Sequence, residues 1–507
     1  MAVDFNKLTP TEAYEQRRRR WWILVWVVII AGLIYYFVVK STYVIAYDDP
    51  EEHFKYGSIG SEPVTGLPVD VLNAIPYIYK DRLGGAGYAA FGMNTEPGQP
   101  LPIGFSRRVV TGVELAWLNC AACHVGTYTL PGSDEVKYIP GGASNDLKLY
   151  DLIVFFSDIG VDPGFTADAV IAAVNTDEVP GHLNFLERQF YRYVIHPRVK
   201  AGLLALSDEL KFVRRQEPYG PGRVDTFNTY KVLQFNFDMG PDAISDLALN
   251  GSTDYPSIWM QGPRAGMNLH WDGNNNSVTE RNFSAALGAG VSPVSVDVES
   301  LARVREWIDT LPAPEFPGKI DKDLAAKGEP LYVQYCASCH GMRPLGEKTE
   351  YDYSRNKYPD LGTVVPLADI GTDRGRWESY DQEFAAAQNT LYAGYPWQFK
   401  HFKKTSGYAN HPLDGIWARS PYLHNGSVPT LRDLMNPSAE RPGTWYRGSR
   451  ILDLDNVGYR SDANAGGTFI YDTSVLGNSN AGHEGAKYGT ELPDAAKDAI
   501  VEYMKTL

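Results

Sequence analysis

The chain has 507 residues, of which 44% are hydrophobic, 21% charged and 12% aromatic, and its formal net charge is −14. This composition is too apolar for a disordered protein, and the length exceeds that of one ordinary domain. The acidic excess lies in residues 41–507, and an acidic body repels a phosphate backbone, so we expect no nucleic-acid partner.

The first apolar feature is the uncharged segment 21–39, which is long enough for one membrane crossing. Four arginines at 17–20 precede it, so the positive-inside rule predicts a cytoplasmic N-terminus at 1–20 and an exported body. A cleaved signal peptide is the alternative, with residues 44–46 as the cleavage site. The apolar run is longer than a usual signal core of about 7–15 residues. We therefore predict a single transmembrane anchor at 21–39, with the N-terminus in the bacterial cytoplasm and the body in the periplasm, tethered to the inner membrane.

The four cysteines fall into two CxxCH motifs, which use every cysteine in the chain: Cys120-Ala-Ala-Cys123-His124 and Cys336-Ala-Ser-Cys339-His340. Such a pair of thiols forms thioether bonds to haem, and the adjacent histidine ligates the iron. A redox-active CxxC, a Cys₄ zinc site and a strained local disulfide are the alternatives. The histidine that follows both pairs favours haem c. The sequence therefore predicts two covalently attached haem c groups, with His124 and His340 as iron ligands.

The remaining pattern predicts helices and a domain boundary. A capping-box pattern at 111–114 predicts a helix before the first motif, and residues 323–335 predict another before the second. Amphipathic spacing predicts further helices at 301–311, 500–507 and around 203–213. The proline-rich stretch 312–318 is typical of a linker. We predict a mainly α fold with long loops, in which the transmembrane helix precedes two cytochrome c-like haem domains at 50–311 and 319–507.

The supply of possible axial ligands differs between the two motifs. Several histidines and a methionine follow the second motif, namely His401, His411, His424, Met435 and His483. Residues 125–150, after the first motif, contain neither histidine nor methionine. A haem with one open face can bind O₂ or peroxide, whereas one with two protein ligands transfers electrons. This difference predicts an accessible first haem and a sealed second haem.

Several ordered segments resemble a known family. They are GPGRVDTFN at 220–228, LHWDGNN at 269–275, ALGAG at 286–290, IGTD at 370–373, PYLHNGSVPTL at 421–431 and GNSNAGHE at 477–484. Together with both CxxCH motifs they resemble the bacterial dihaem cytochrome c peroxidase superfamily, and are most similar to its rubber oxygenase branch. The resemblance covers about residues 85–507.

The resemblance implies roles for individual residues. His483 would be the second axial ligand of the domain-two haem, with Met435 as the alternative. Trp271 would relay electrons between the haems, although ordinary packing also explains a tryptophan there. The first haem would be the reactive one. Asp272 and the asparagines at 274–276 could hold the Ca²⁺ known between the haems of these peroxidases, although an asparagine-rich loop is also typical of a turn.

The chain departs from the peroxidases around the first haem. Their distal histidine is missing, and the segment 283–290 is apolar where they carry a catalytic glutamate, with Glu280 as the only nearby acid. Phe283 and Leu287 are candidate residues of the distal wall, with core packing as the equal alternative. Arg223 and Arg419 are candidate partners of the haem propionates, or else surface residues.

These features favour an oxidoreductase that activates O₂ or peroxide at the domain-one haem, with electron relay through the domain-two haem and Trp271. The alternative is a non-enzymatic periplasmic cytochrome that passes electrons between a membrane-bound donor and an acceptor. A third hypothesis is a dihaem enzyme that oxidises a side chain of a partner protein. Rubber oxygenases are secreted, so the predicted anchor makes polyisoprene an improbable substrate, and no substrate follows from the sequence.

Overall fold

The computed structural model describes residues 9–35, 41–346 and 349–507. Its helices are α1 Pro10–Tyr35, α2 Pro50–Tyr56, α3 Glu62–Thr65, α4 Val69–Ile78, α5 Cys120–Cys123, α6 Leu149–Val161, α7 Ala167–Val174, α8 Phe185–Phe190, α9 His196–Glu209, α10 Thr226–Phe235, α11 Asp246–Leu249, α12 Val278–Gly288, α13 Val298–Thr310, α14 Lys322–Tyr335, α15 Ala337–His340, α16 Leu367–Ile370, α17 Gly375–Glu378, α18 Gln382–Gln388, α19 Leu431–Leu434 and α20 Asp494–Met504. A π-helical turn, Tyr191–Ile195, joins α8 to α9.

The strands are short and pair antiparallel. They are β1 Tyr43–Val44, β2 Leu67–Pro68, β3 Phe105–Val110, β4 Val113–Leu118, β5 Val125–Tyr128, β6 Lys137–Pro140, β7 Arg223–Val224, β8 Thr253–Asp254, β9 Val364–Pro366, β10 Gly407–Ala409, β11 Thr444–Arg447, β12 Leu452–Asp453, β13 Gly458–Tyr459 and β14 Phe469–Asp472. The largest sheet has the order β1-β3-β4-β2, and the other strands form two-stranded ribbons.

Four of the predicted helices are confirmed, as α9, α13, α14 and α20. Side-chain caps explain where two of them begin. The Asp297 carboxylate accepts from the backbone N–H of Ser300 before α13, and the Asp321 carboxylate accepts from the N–H groups of Asp323 and Leu324 before α14. Such N-caps satisfy amides that have no partner inside the helix.

The helix predicted from the capping-box pattern at 111–114 is wrong. Thr111 and Gly112 form the turn of a hairpin, and the next two residues begin β4, in which Val113 pairs with Val110 of β3. Thr111 and Gly112 both have positive φ, at 50° and 79°, as a two-residue hairpin turn requires. With this sheet and the ribbons, the fold is mixed α/β, so the predicted mainly α class is also wrong.

The predicted transmembrane anchor is contradicted as well. Within the described part of the chain, no helix combines the length and the apolar character needed to cross a bilayer. The first half of α1 carries Glu12, Glu15 and the arginines at 17–20. The described part of the predicted span is 21–35. The rest of the predicted span, 36–39, lies outside the described residues. The single-pass inner-membrane localisation is corrected on the same ground.

The buried side chains form several cores. One core, built around α4, α6, α7 and α9, lies beside Cys123. Another core lies around α14, α20 and the segment 416–459. Gly328 makes the packing of α14 against α20 possible, because a Cβ there would lie 1.9 Å from the Ala499 carbonyl oxygen. The second core also contains Ile139 and Trp259, from the first half of the chain. The proposed domain boundaries stay a prediction.

Candidate functional site

The first CxxCH motif is fixed by hydrogen bonds on both sides. The Asn119 side chain caps α5 by accepting from the Ala121 N–H at 3.0 Å. Its amide nitrogen donates to three backbone carbonyls between residues 54 and 57. His124, directly after α5, forms a hydrogen bond from Nδ1 to the Pro256 carbonyl oxygen at 2.9 Å. This bond leaves Nε2 as the nitrogen that can bind a metal.

The second motif repeats this arrangement. Helix α14 leads directly to Cys336, and α15 ends at His340. The Nδ1 atom of His340 forms a hydrogen bond to the His411 carbonyl oxygen at 2.7 Å. Both motif histidines are therefore oriented by a backbone carbonyl far along the chain, and both present Nε2.

Both motif histidines are held neutral, which is the form that ligates metals. Burial, followed by the nearby Arg281 charge, lowers the pKa of His124 to about 4. Burial also lowers the pKa of His340. A neutral imidazole with Nδ1–H on a carbonyl has its Nε2 lone pair free.

His483 lies opposite His340, with ring centroids 6.3 Å apart and planes at 47°. A metal–imidazole bond is about 2.0–2.1 Å long and the ring centroid lies roughly 1 Å beyond the nitrogen, so two imidazoles on one iron have centroids about 6 Å apart. Burial lowers the pKa of His483 to about 3, so this ring is neutral too. The spacing and the protonation state both fit one iron between the two rings.

The loop that carries His483 is closely held. The backbone N–H of His483 donates to the Ile370 carbonyl at 2.8 Å, and Arg441 donates to the carbonyls of Gly482 and His483. Gly482 has φ +82°, and a Cβ there would lie 2.4 Å from the Gly371 carbonyl carbon and from the Thr372 backbone nitrogen. His483 itself has φ +50°, a sparsely populated region for a non-glycine residue. The fold therefore maintains an unfavourable conformation that directs this imidazole toward His340.

The alternative ligand, Met435, is also near this site. Its side chain is buried in the second core, and its Cε lies 3.5 Å from the position that a Cβ would occupy at Gly489. The assignment of either residue as the axial ligand stays a prediction, and the ring spacing favours His483.

Trp271 touches both segments that support the motif histidines. Its indole Nε1 donates to the Asp254 carbonyl at 2.9 Å, two residues before Pro256. Its ring meets the His411 ring edge to face at 5.7 Å. Trp271 thus lies in a continuous chain of contacts from the carbonyl partner of His124 to the carbonyl partner of His340.

A cleft borders this chain of contacts and encloses about 640 Å³, its open mouth included. It is lined by Tyr255, Pro256, Ser257, Gln261, Arg264, Leu269, His270, Trp271, Val278, Arg281, His411 and Arg419. Three of these residues are arginines, and none is a carboxylate.

One carboxylate, Asp414, compensates part of the positive charge. It accepts from Arg264 at 2.6 and 2.8 Å and from Arg419 at 2.9 Å. Arg281 forms no ion pair or hydrogen bond with a carboxylate in residues 9–35, 41–346 and 349–507. Burial, followed by the charges of Arg264 and Arg376, lowers the pKa of Arg281 to about 10, and the Asp272 charge opposes this shift. The cleft is therefore strongly electropositive.

The two predicted propionate partners differ in position. Arg419 lines the cleft, but Arg223 lies outside this lining. The Arg223 guanidinium is fully buried and donates to Asn478 Oδ1 at 2.8 Å and to the backbone carbonyls of Tyr219 and Ser252. Its predicted role as a propionate partner is not supported by a direct contact with the cleft.

Phe283 and Leu287 lie on one side of α12 in an aromatic core that also packs against Cys120. Phe283 meets Tyr392 at 5.7 Å and Trp397 at 6.0 Å, measured between ring centroids. Both predicted wall residues are therefore buried among apolar groups beside the first motif. Such an environment excludes water and offers no acid or base from these two side chains.

Asp272 and Asn274, two of the residues suggested as Ca²⁺ ligands, are both buried. The Asp272 carboxylate is buried and lies 3.4 Å from Arg376 Nε. Both polar side-chain atoms of Asn274 are buried without a hydrogen-bond partner. The calcium site stays a prediction.

Glu280, the one acid near the predicted wall, is bound on several sides. Its carboxylate accepts from the backbone N–H groups of Lys400 and His401 and lies 2.6 Å from His401 Nδ1. It therefore joins α12 to the segment 399–402.

Sequence reasoning missed several residues of this site. The carbonyls of Pro256 and His411 are backbone groups, for which no side-chain signal exists. Arg264 and Arg281 lie outside the motif segments, so no sequence pattern predicts their position in the cleft. His270 was visible within LHWDGNN, and its buried Nε2 has no hydrogen-bond partner.

Comparisons with known proteins agree with this site. Residues 407–446, which contain His411, Arg419 and Met435, match the family model described as RoxA-like, cytochrome c-like. Two uncharacterized proteins of Sinorhizobium fredii are similar to the chain. The protein y4iJ is 28% identical over 82% of this chain and 84% of its own length, and y4iM is 30% identical over 50% of this chain and 64% of its own. The family match supports a RoxA-like cytochrome c, and hence a redox protein that contains haem c.

Proposed function

We propose that this protein is a dihaem c-type oxidoreductase whose first haem reacts with O₂ or peroxide and whose second haem exchanges electrons. The first haem would be held by Cys120, Cys123 and His124, and the second by Cys336, Cys339, His340 and His483. When bound, haem supplies an iron that reacts with O₂ or peroxide if one face is open and transfers an electron if both faces are filled.

The main support for this proposal is that the two motif histidines face different side chains. The His483 ring faces His340 at a centroid distance of 6.3 Å. Around His124, the described residues provide no histidine ring at a comparable distance, and the aromatic neighbour is Tyr255 at 6.4 Å. Two protein ligands suit an electron-transfer site, whereas a single histidine ligand leaves a position for a small molecule.

The side chains beside the first motif favour an apolar reactant. The aromatic core around Phe283 and Leu287 packs against Cys120 and keeps water away from that side. Neither side chain can exchange a proton, so this wall would not assist peroxide cleavage by acid–base catalysis. This environment favours O₂ chemistry on a hydrophobic substrate over a fast peroxidase reaction.

Trp271 supports electron exchange between the two motifs. Its hydrogen bond to Asp254 and its contact with His411 join the supports of His124 and His340 through a single side chain. The formal charge of −14 also suits a basic redox partner, which we propose as an electron donor or acceptor.

A spectroscopic experiment on the full-length protein tests this function. A pyridine haemochrome assay should give two haem c per chain. After reduction with ascorbate, exposure to CO, O₂ and H₂O₂ should change the spectrum of one haem only. Two low-spin haems that respond to none of these reagents would contradict the oxidoreductase function and would favour the electron-carrier alternative.

A further inference from the structure

The cleft beside Trp271 has more arginines than paired carboxylates. Arg264 and Arg419 share the single carboxylate of Asp414, and Arg281 has no carboxylate partner in the described ranges. The Nε atoms of Arg264 and Arg419 are also buried without a hydrogen-bond partner. A buried cation without a counter-charge costs several kcal/mol, and an anion bound in this cleft would relieve that cost.

His270 adds a neutral donor to the same cleft. It has φ +62°, an unfavourable conformation for histidine, and its buried Nε2 lacks a partner. Its backbone carbonyl accepts a hydrogen bond from His411 Nε2 at 3.0 Å. The backbone is therefore held in a strained form beside the cleft while the imidazole remains free to form a hydrogen bond.

The cleft also has a defined relation to the two motifs. Its lining includes Pro256 and His411, whose carbonyls orient His124 and His340. Arg281 lies close enough to lower the pKa of both His124 and His411. An anion in this cleft would therefore lie beside the backbone segments that orient both motif histidines.

We propose that this cleft binds haem propionate carboxylates, with Arg281 and His270 as partners of a first-haem propionate. Arginine pairs with a carboxylate through two parallel hydrogen bonds, and the Asp414-bound arginines retain free donors for a second carboxylate. This inference rests on the proposed binding of two haems and assigns new residues to their positioning. A free anion, such as an acidic substrate, shares the same chemistry and is the competing occupant.

The reduction potential of the haems tests this assignment. A cation near the iron disfavours its oxidised, more positive form, so Arg281→Gln should lower the potential of the haem bound to His124. We expect about a tenfold change in the ratio of oxidised to reduced haem at fixed potential, or 59 mV for one electron. His270→Phe should lower the same potential by a smaller amount.

Arg192→Gln is the matched control, because it removes the same charge from a surface arginine paired with Asp168. It should leave both potentials unchanged. If neither cleft variant shifts a potential beyond this control while both haems and the circular dichroism spectrum are retained, the assignment fails. Two different substitutions keep the test decisive if one variant does not fold.

A titration with inorganic phosphate at constant ionic strength separates the two possible occupants. If propionates fill the cleft, the potentials of the unmodified protein should not respond to phosphate. A response that Arg281→Gln abolishes would mean that the cleft is open to free anions, and the propionate assignment would be overturned. A haemochrome assay that gives fewer than two haems per chain would instead contradict the proposed function itself.

Discussion

Trp271 and His411 meet edge to face, with ring centroids 5.7 Å apart and ring planes at 86°. His411 uses its backbone carbonyl to orient His340, while Trp271 donates to Asp254 in the segment that orients His124. The two motif histidines are separated by more than 200 residues in sequence, yet these few contacts connect their supports.

Substitution of Trp271 tests this connection. Trp271→Phe removes the indole N–H and the larger ring, and should slow electron exchange between the haems about tenfold, equivalent to ~1.4 kcal/mol in activation free energy. Flash reduction of one haem followed by absorbance of the other measures this rate. Trp445→Phe is the control, because Trp445 is buried against Tyr471 and does not line the cleft. An equal rate in both variants would contradict the relay role.

Substitution of His483 tests the proposed second ligand. His483→Ala should convert the second haem from a low-spin to a high-spin spectrum, because the iron loses one strong ligand. Added imidazole should restore the low-spin spectrum. Met435→Leu, a volume-conserving change in the same core, should leave the spectrum intact. The opposite pattern would identify Met435 as the ligand.

Phe283 is predicted to matter for stability as well as for the apolar wall. Phe283→Ala removes a buried ring beside Tyr392 and Trp397, and should reduce the free energy of unfolding by about 3–5 kcal/mol. Urea unfolding of the haem-loaded protein measures this loss. Phe185→Ala is the matched control, because Phe185 is 72% exposed, and its effect should stay within about 0.5 kcal/mol. Similar losses in the two variants would mean that Phe283 is not part of a well-packed core.

The loss of folding stability at low pH should depend on His424. Burial, followed by the charges of Arg376 and Arg223, lowers the pKa of His424 from 6.5 to about 3. Between these values the unfolded chain binds a proton that the folded protein does not, so stability falls as the pH is lowered below about 6.5. His424→Phe keeps a ring stacked on Tyr408 and should reduce this slope by up to about 1.4 kcal/mol per pH unit.

Unfolding free energies at pH 7 and pH 5 measure this slope. His182→Phe is the control, because it changes a histidine on the surface. If the unfolding free energy of His424→Phe depends on pH as steeply as that of the unmodified protein, the prediction is contradicted.

Local patterns predicted some elements well and others poorly. The amphipathic patterns were sufficient to predict α13 and α20, because the apolar residues at helical spacing are the ones buried in the core. The capping-box pattern at 111–114 failed because Thr111 and Gly112 adopt positive φ and the flanking residues pair as strands. The apolar run at 21–39 predicts a membrane span from hydropathy alone, but no helix within the described ranges is long and apolar enough to cross a bilayer.

The sequence by itself determined the two CxxCH motifs and the unequal supply of histidine and methionine after them, because a CxxCH motif is defined by residues three and four positions apart. The tertiary structure decided which distant groups meet: Pro256 with His124, His411 with His340, and His483 opposite His340 at 6.3 Å. It also brought Arg264, Arg281 and Arg419 together around one cleft. The physical reason is that these contacts use backbone carbonyls and long-range packing, which leave no periodic signal in the order of the residues.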